Sequence, residues 1–126
     1  MKIVCPIGIG ELADRISILE IKKQKIKDKV KLQHINYELN SLRELVSAQG
    51  LGEMEKYIKE LIMVNAKLWD VEDAIRQKDK LQDFGAEFVS LARQVYVYND
   101  QRFALKDTIN SHFGSEIIEV KSYEKY

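Results

Sequence analysis

From Phe84 to Asn110 a single helical seam changes chemistry halfway along without losing its period. Phe84, Phe88, Leu91, Val95, Tyr98, Arg102, Leu105 and Ile109 recur at alternating steps of four and three, the spacing that places side chains on one face of an α-helix. The neighbouring row, Val89, Ala92, Tyr96, Asn99, Phe103, Lys106 and Asn110, likewise begins apolar and then acquires an amide, a cation and a second amide. So long a run at one period demands a long helix. Its polar half cannot lie in a purely apolar core, because buried amides and cations are costly unless something pairs with them. The chain must therefore supply a buried polar network or receive a ligand there.

Breaks elsewhere are few, since the 126 residues contain one proline and six glycines. Lys2 to Cys5 is β-prone, Pro6 limits its pairing, and Gly8-Ile9-Gly10 is a turn or helix entry. A first helix should begin by Glu11. Leu12, Ile16, Leu19 and Ile26 form one stripe, and Leu32, Ile35, Leu39, Leu42 and Val46 another. The two registers do not join, so either the helix breaks near Asp28, a good N-cap, or it runs on and turns a new face to its partner; a break is favoured. Gln49-Gly50-Leu51-Gly52 is the clearest turn. The next helix is expected from about Glu53 to Gln77, with Ile58, Leu61, Val64, Leu68, Val71 and Ile75 inward and Asn65 and Glu72 in the same seam. Lys78 to Gln82 reads as a polar connector, Asp83 as the cap of the last helix, and Gly114 as its left-handed terminus. From Ser115 the period is lost; Ile118, Val120, Tyr123 and Tyr126 suggest an extended tail docked on the bundle, able to pair with Lys2 to Cys5.

The expected fold is all-α: a single domain over residues 1–126, an antiparallel bundle of three to four long helices with short extended arms at both ends. Twenty basic and twenty acidic residues cancel, so the broad positive field of a nucleic-acid binder is missing and no nucleic-acid partner is expected. Six lysines and one aspartate between Ile21 and Gln33 fall all around a helix and read as a solvated face. No run is long and apolar enough to span a membrane. The lone Cys5 excludes an internal disulfide and reads as a small buried hydrophobe in a cytoplasmic protein.

No reaction is recognisable. Glu11 with Asp14, Asp70 with Asp73, and Glu116 with Glu119 have spacings that could share a divalent cation, but three such pairs are unremarkable among twenty acids. His34 and His112 are isolated, so neither metal nor cofactor is expected. Gly8-Ile9-Gly10 lacks the rest of a phosphate loop. Trp69 and Tyr96-Val97-Tyr98 could stack on a base but sit at seam positions typical of core. The residues that stand out are Asn65, Glu72 and Arg76 on the third helix and Asn99, Arg102 and Lys106 on the fourth. Arg15 and Lys22 on the first could join them around an anion, because Arg grips carboxylate or phosphate with paired hydrogen bonds.

Four segments carry a resemblance: Gly10 to Lys22, Val64 to Arg76, Leu91 to Arg102 continued by Lys106, Ile109 and Asn110, and a tail that matches at Gly114 to Glu116 and Glu119 to Tyr123. In them the chain resembles a family of short helical proteins of unknown function found in bacteria and some of their viruses; Arg15 stands where lysine is expected. The resemblance implies a mostly helical fold and no assigned activity or ligand. Two function classes follow. One is an interaction or assembly protein, a homo-oligomer and most simply a dimer held through the stripes of its first two helices, with the polar seam as a buried network. The other is a small all-α enzyme or binding module for an anionic metabolite such as a nucleotide, sugar phosphate or carboxylate.

Overall fold

The computed structural model describes residues 1–125; Tyr126 lies outside the described residues. Four helices pack together, α1 (Ile9–Lys25), α2 (Lys29–Ala48), α3 (Glu55–Lys80) and α4 (Ala86–Phe113), with one 3-10 turn, Gly52–Met54, leading into α3. The bundle is all-α, as expected. The break after α1 is present, and Asp28 caps α2 by accepting a hydrogen bond from the Lys31 N–H at 2.9 Å. Gly114 ends α4 in the left-handed region, at φ 64°, where a residue with a Cβ would be strained. The connector between α3 and α4 differs from expectation. α3 runs on to Lys80, and Gln82 takes the left-handed position that glycine usually fills, at φ 55°. Asp83 accepts from the Gly85 N–H at 3.3 Å and pairs with Lys78, so it shapes the turn while Gly85 occupies the N-cap.

The core joins the first two helices to α3. Leu12, Ala13, Ile16 and Leu19 of α1 and Ile35, Leu39 and Val46 of α2 enclose Met54, Ile58 and Leu61, with Ile109 of α4 closing the cluster. Both stripes expected to hold a dimer are thus taken up inside one chain. Leu12, Ile16, Leu19, Ile35, Leu39 and Val46 are buried in this core, and Ile26, Leu32 and Leu42 pack partly buried against it.

α4 reverses the usual order. Its buried residues are Lys106, Ile109 and Asn110, whereas Val89 near its start is 53% exposed and Phe84, just before the helix, 51%. The reason is length. α1 ends at Lys25, which pairs with Asp70 of α3 at 3.8 Å, and α3 and α4 run on past that end as a two-helix hairpin, pinned by Lys78 to Glu87 at 2.6 Å. Tyr96 is exposed, and Tyr98 and Trp69 are only half-buried, so the expectation of core aromatics fails along this arm.

Both terminal segments are extended but unpaired; no strand occurs among the described residues. Lys2 lies over the Tyr37 ring of α2, 5.6 Å from its centroid, so the first segment does not meet the tail as expected. Cys5 is exposed, not buried. The tail turns back along α4 with the period of an extended chain: Glu119 reaches Lys106 at 2.7 Å, Lys121 lies over Phe103 at 5.8 Å, and Tyr123 bonds Asp100. Ile118 and Val120, expected to dock it, fall on the other phase and point to solvent, as alternation in an extended chain requires.

Candidate functional site

Where α1 crosses α4 the backbones nearly touch. A Cβ on Gly10 would overlap the Lys106 carbonyl oxygen, and one on Gly8 would lie 2.6 Å from the Ile117 carbonyl oxygen. The first N–H groups of a helix have no partner within it, and Gly8 has no side chain with which to cap α1. The cap comes from far along the chain. Asn110 Oδ1 accepts from the Gly10 N–H at 2.7 Å, and Ser115 Oγ from the Ile9 N–H at 3.0 Å. The start of α1 is thereby fixed against the end of α4, which aligns the polar residues that follow on both helices.

One turn further along, Asp14 is 1% exposed. Both of its oxygens accept from Arg102, Oδ1 from Nε at 2.9 Å and Oδ2 from Nη2. Asn65 of α3 donates to the same Oδ1 at 2.9 Å and to Ser17 Oγ at 2.8 Å, and Ser17 donates to the Asp14 carbonyl. Three helices thus converge on one carboxylate. The hydrogen bonding to Asp14, against a smaller opposing effect of burial, holds the Arg102 guanidinium more firmly in its charged form than usual.

Lys106 forms the second half of the cluster. Its side chain is 8% exposed, and its ammonium contacts Glu11 at 2.8 Å and Glu119 at 2.7 Å. Burial pulls its pKa down, but hydrogen bonds to Glu11 and Glu119 outweigh that, and the pKa lies above the ordinary lysine value. Glu119 responds in the opposite direction: the Lys106 bond, opposed by desolvation and reinforced by Lys121, lowers its pKa. Three cations, Arg102, Lys106 and Lys121, therefore face three carboxylates, Asp14, Glu11 and Glu119. The excess of positive charge that would favour an anion is missing from this cluster.

The eight sequence candidates all lie around Arg102, but on different sides of it. Asn65, Glu72, Arg76, Asn99 and Arg102 share a groove of about 410 Å³ between α1, α3 and α4. Arg15 and Lys22 lie with Arg102 along a second, smaller groove, where Arg15 pairs with Glu11 and Glu38. Lys106 is beneath the tail, where Asn99 and Arg102 again border the space. Glu72 is half-buried as expected, and its ion-pair partner is Arg76 on its own helix, at 3.5 Å.

Sequence reading missed Asp14, Glu11 and Glu119 as ion-pair partners, because they were read as possible metal pairs one turn apart. In the structure each of them faces a cation, and no group of three potential metal ligands comes together among the described residues. Asp14 did carry a signal: it lies in the run Leu12-Ala13-Asp14-Arg15-Ile16, on the side of α1 that also carries Ser17 and Gly10. No sequence pattern announces Ser115 and Asn110 as caps, since their partners lie about a hundred residues away.

No curated protein and no solved structure matches the chain. One family model does, over residues 1–126, and so the chain belongs to DUF6165, a family of unknown function.

Proposed function

We propose that this is an assembly protein that pairs with a second copy through the α3–α4 arm, with the Asp14–Arg102 cluster as the internal network that fixes the angle of that arm. The observation that carries this reading is the inverted burial of α4. An apolar helix half left only partly covered, with Val89 and Tyr96 exposed, while polar residues further along are buried is unfavourable unless a partner covers it. A second copy suits the surface. A shallow groove on α4 is lined by Ala86, Val89, Ser90, Arg93, Gln94, Val97, Tyr98 and Gln101, of which Arg93 alone is charged, in a chain that is 32% charged. Depletion of charge at the centre of a patch is the compositional mark of an interface. An antiparallel two-fold crossing near Arg93 sets Val89 against the second copy's Tyr98 and Ser90 against its Val97, so the face complements itself.

A cytoplasmic setting, where Cys5 would remain a free thiol, belongs to the same proposal. The reading that centres on an anionic metabolite has less support, because Arg102 and Lys106 already hold carboxylates. Light scattering during size-exclusion chromatography tests the assembly. The wild type should run near twice the 14.7 kDa chain mass, and Val97→Glu should return it to one chain with unchanged helix content. A wild type that stays at one chain mass at high micromolar concentration would refute the proposal.

A further inference from the structure

The groove between α1, α3 and α4 shares no residue with the face proposed for assembly, and its polar groups are set by the network behind it. Asn65 is 6% exposed. A carboxylate only accepts hydrogen bonds, so the bond to Asp14 fixes Asn65 with its Nδ2 inward. Both N–H groups are then used, on Asp14 and Ser17, and the opposite Oδ1 lines the groove with no partner among the described residues. Asn99 is oriented by the same logic. Its Oδ1 faces Arg102 Nη1 at 3.5 Å, which leaves its Nδ2 on the opposite side, with no partner among the described residues. Arg102 spends Nε and Nη2 on Asp14 and keeps Nη1 for that long contact alone.

One acceptor and two donors therefore border a cleft whose walls are Trp69, Leu68 and Ile18. An aromatic wall takes the face of a flat ring, and an amide acceptor beside amide and guanidinium donors matches an edge that carries both a donor and acceptors. The lip carries Glu72 and Asp73 against Arg76, and Arg102 is neutralised by Asp14, so an additional negative charge gains little there. A volume of about 410 Å³ lies within the range of small-molecule sites. We infer that this groove binds an uncharged planar heteroaromatic of the nucleobase or nucleoside class, stacked on Trp69 and read at its edge by Asn65 and Asn99.

Trp69 is the only tryptophan, so its fluorescence reports occupancy directly. Adenosine, cytidine, guanosine and uridine would each be titrated with excitation at the red edge of indole absorption, with free N-acetyltryptophanamide as the control for inner-filter loss. At least one nucleoside should quench Trp69 saturably, and its 5′-monophosphate should bind no more tightly. Asn99→Leu should weaken that binding about tenfold, the loss of one hydrogen bond, without lowering the melting temperature, because Asn99 makes only the long contact to Arg102. Absence of saturable quenching by all four nucleosides would overturn the inference. So would a marked preference for the monophosphate or for inorganic phosphate, which would return the groove to the anion-binding reading, and so would Asn99→Leu binding as tightly as the wild type.

Discussion

The C-terminal half of α4 carries all of the helix's buried residues, Lys106, Ile109 and Asn110, two of them polar, while its more apolar N-terminal half has none and leaves Val89 and Tyr96 exposed. The two halves share a helix and a period, and they differ in what lies alongside. Against the first half α1 sets a matching row: Gly10 for close approach, Asp14 for Arg102, and Glu11 for Lys106. Against the start of the helix it offers no such charged row, and α1 ends at Lys25 while α3 and α4 run on. Burial therefore follows the reach of the neighbouring helix, and polarity is tolerated wherever that neighbour supplies a charge of the opposite sign. Such a cluster does not by itself add stability, because desolvating the charges offsets most of their attraction. Its consequence is directional: three helices can satisfy Asp14 together in only one register.

The comparison breaks most sharply at Asp14. Asp14→Ala leaves the Arg102 guanidinium and the Asn65 amide without their shared acceptor. Removing one member of a buried pair costs about 3–5 kcal/mol, and the 29% exposure of the Arg102 side chain places the expected loss near the lower end. The matched truncation in the arm, Val89→Ala, should change the stability of the single chain, measured at dilutions below the proposed association, by no more than about 0.5 kcal/mol. Urea unfolding of both variants measures the difference, and equal losses would mean that the two halves of α4 are equally supported.

A smaller effect is expected at the crossing point. Helix propensity alone would make Gly10→Ala stabilising by up to about 1 kcal/mol. The added methyl meets the Lys106 carbonyl, which is backbone and cannot rotate aside, so overpacking at about 1–3 kcal/mol should win. Thermal melting that shows Gly10→Ala at or above the wild type would indicate that α1 and α4 can separate freely.

The smallest effect concerns the tail. The pKa of Glu119 is lowered in the folded chain, so its contribution is present above the ordinary glutamate range and is lost as pH falls through its folded value. Lys106 is raised, so its contribution is complete below the ordinary lysine range and fades only as pH climbs past it. Between these limits the tail should stay docked. Acidification should release it before the helices melt, which is visible as faster amide exchange in residues 117–123 while α4 remains protected. Simultaneous loss of both would show that the tail belongs to the bundle's cooperative unit.

Much of this architecture was legible because it is local. The period of Ile58, Leu61, Leu68 and Val71, the cap at Asp28 and the left-handed stop at Gly114 each depend on residues within a turn or two, and sequence displays such neighbours directly. The polar residues of the seams were also visible, and Asn65, Glu72, Arg76, Asn99 and Arg102 do converge. Their partners were not visible. Glu11, Asp14 and Glu119 could be read as metal pairs, because sequence shows the spacing of acids along one helix and not the cation facing them from another. The tail likewise revealed that it was extended, but only its docking decided that Glu119, Lys121 and Tyr123 would contact α4 while Ile118 and Val120 stay exposed.

By itself the sequence determined that this chain would be helical, where its helices would break, and which positions would be apolar or charged on each face. Those properties follow from backbone sterics and side-chain period, which act over a few residues. The tertiary structure alone decided which half of α4 would be covered, which carboxylate would hold Arg102, and that α1 would be capped from Asn110 and Ser115. Such choices depend on the relative lengths and crossings of helices that meet only after the chain has folded back on itself, and hydrophobicity along one helix states a need for cover without naming what provides it.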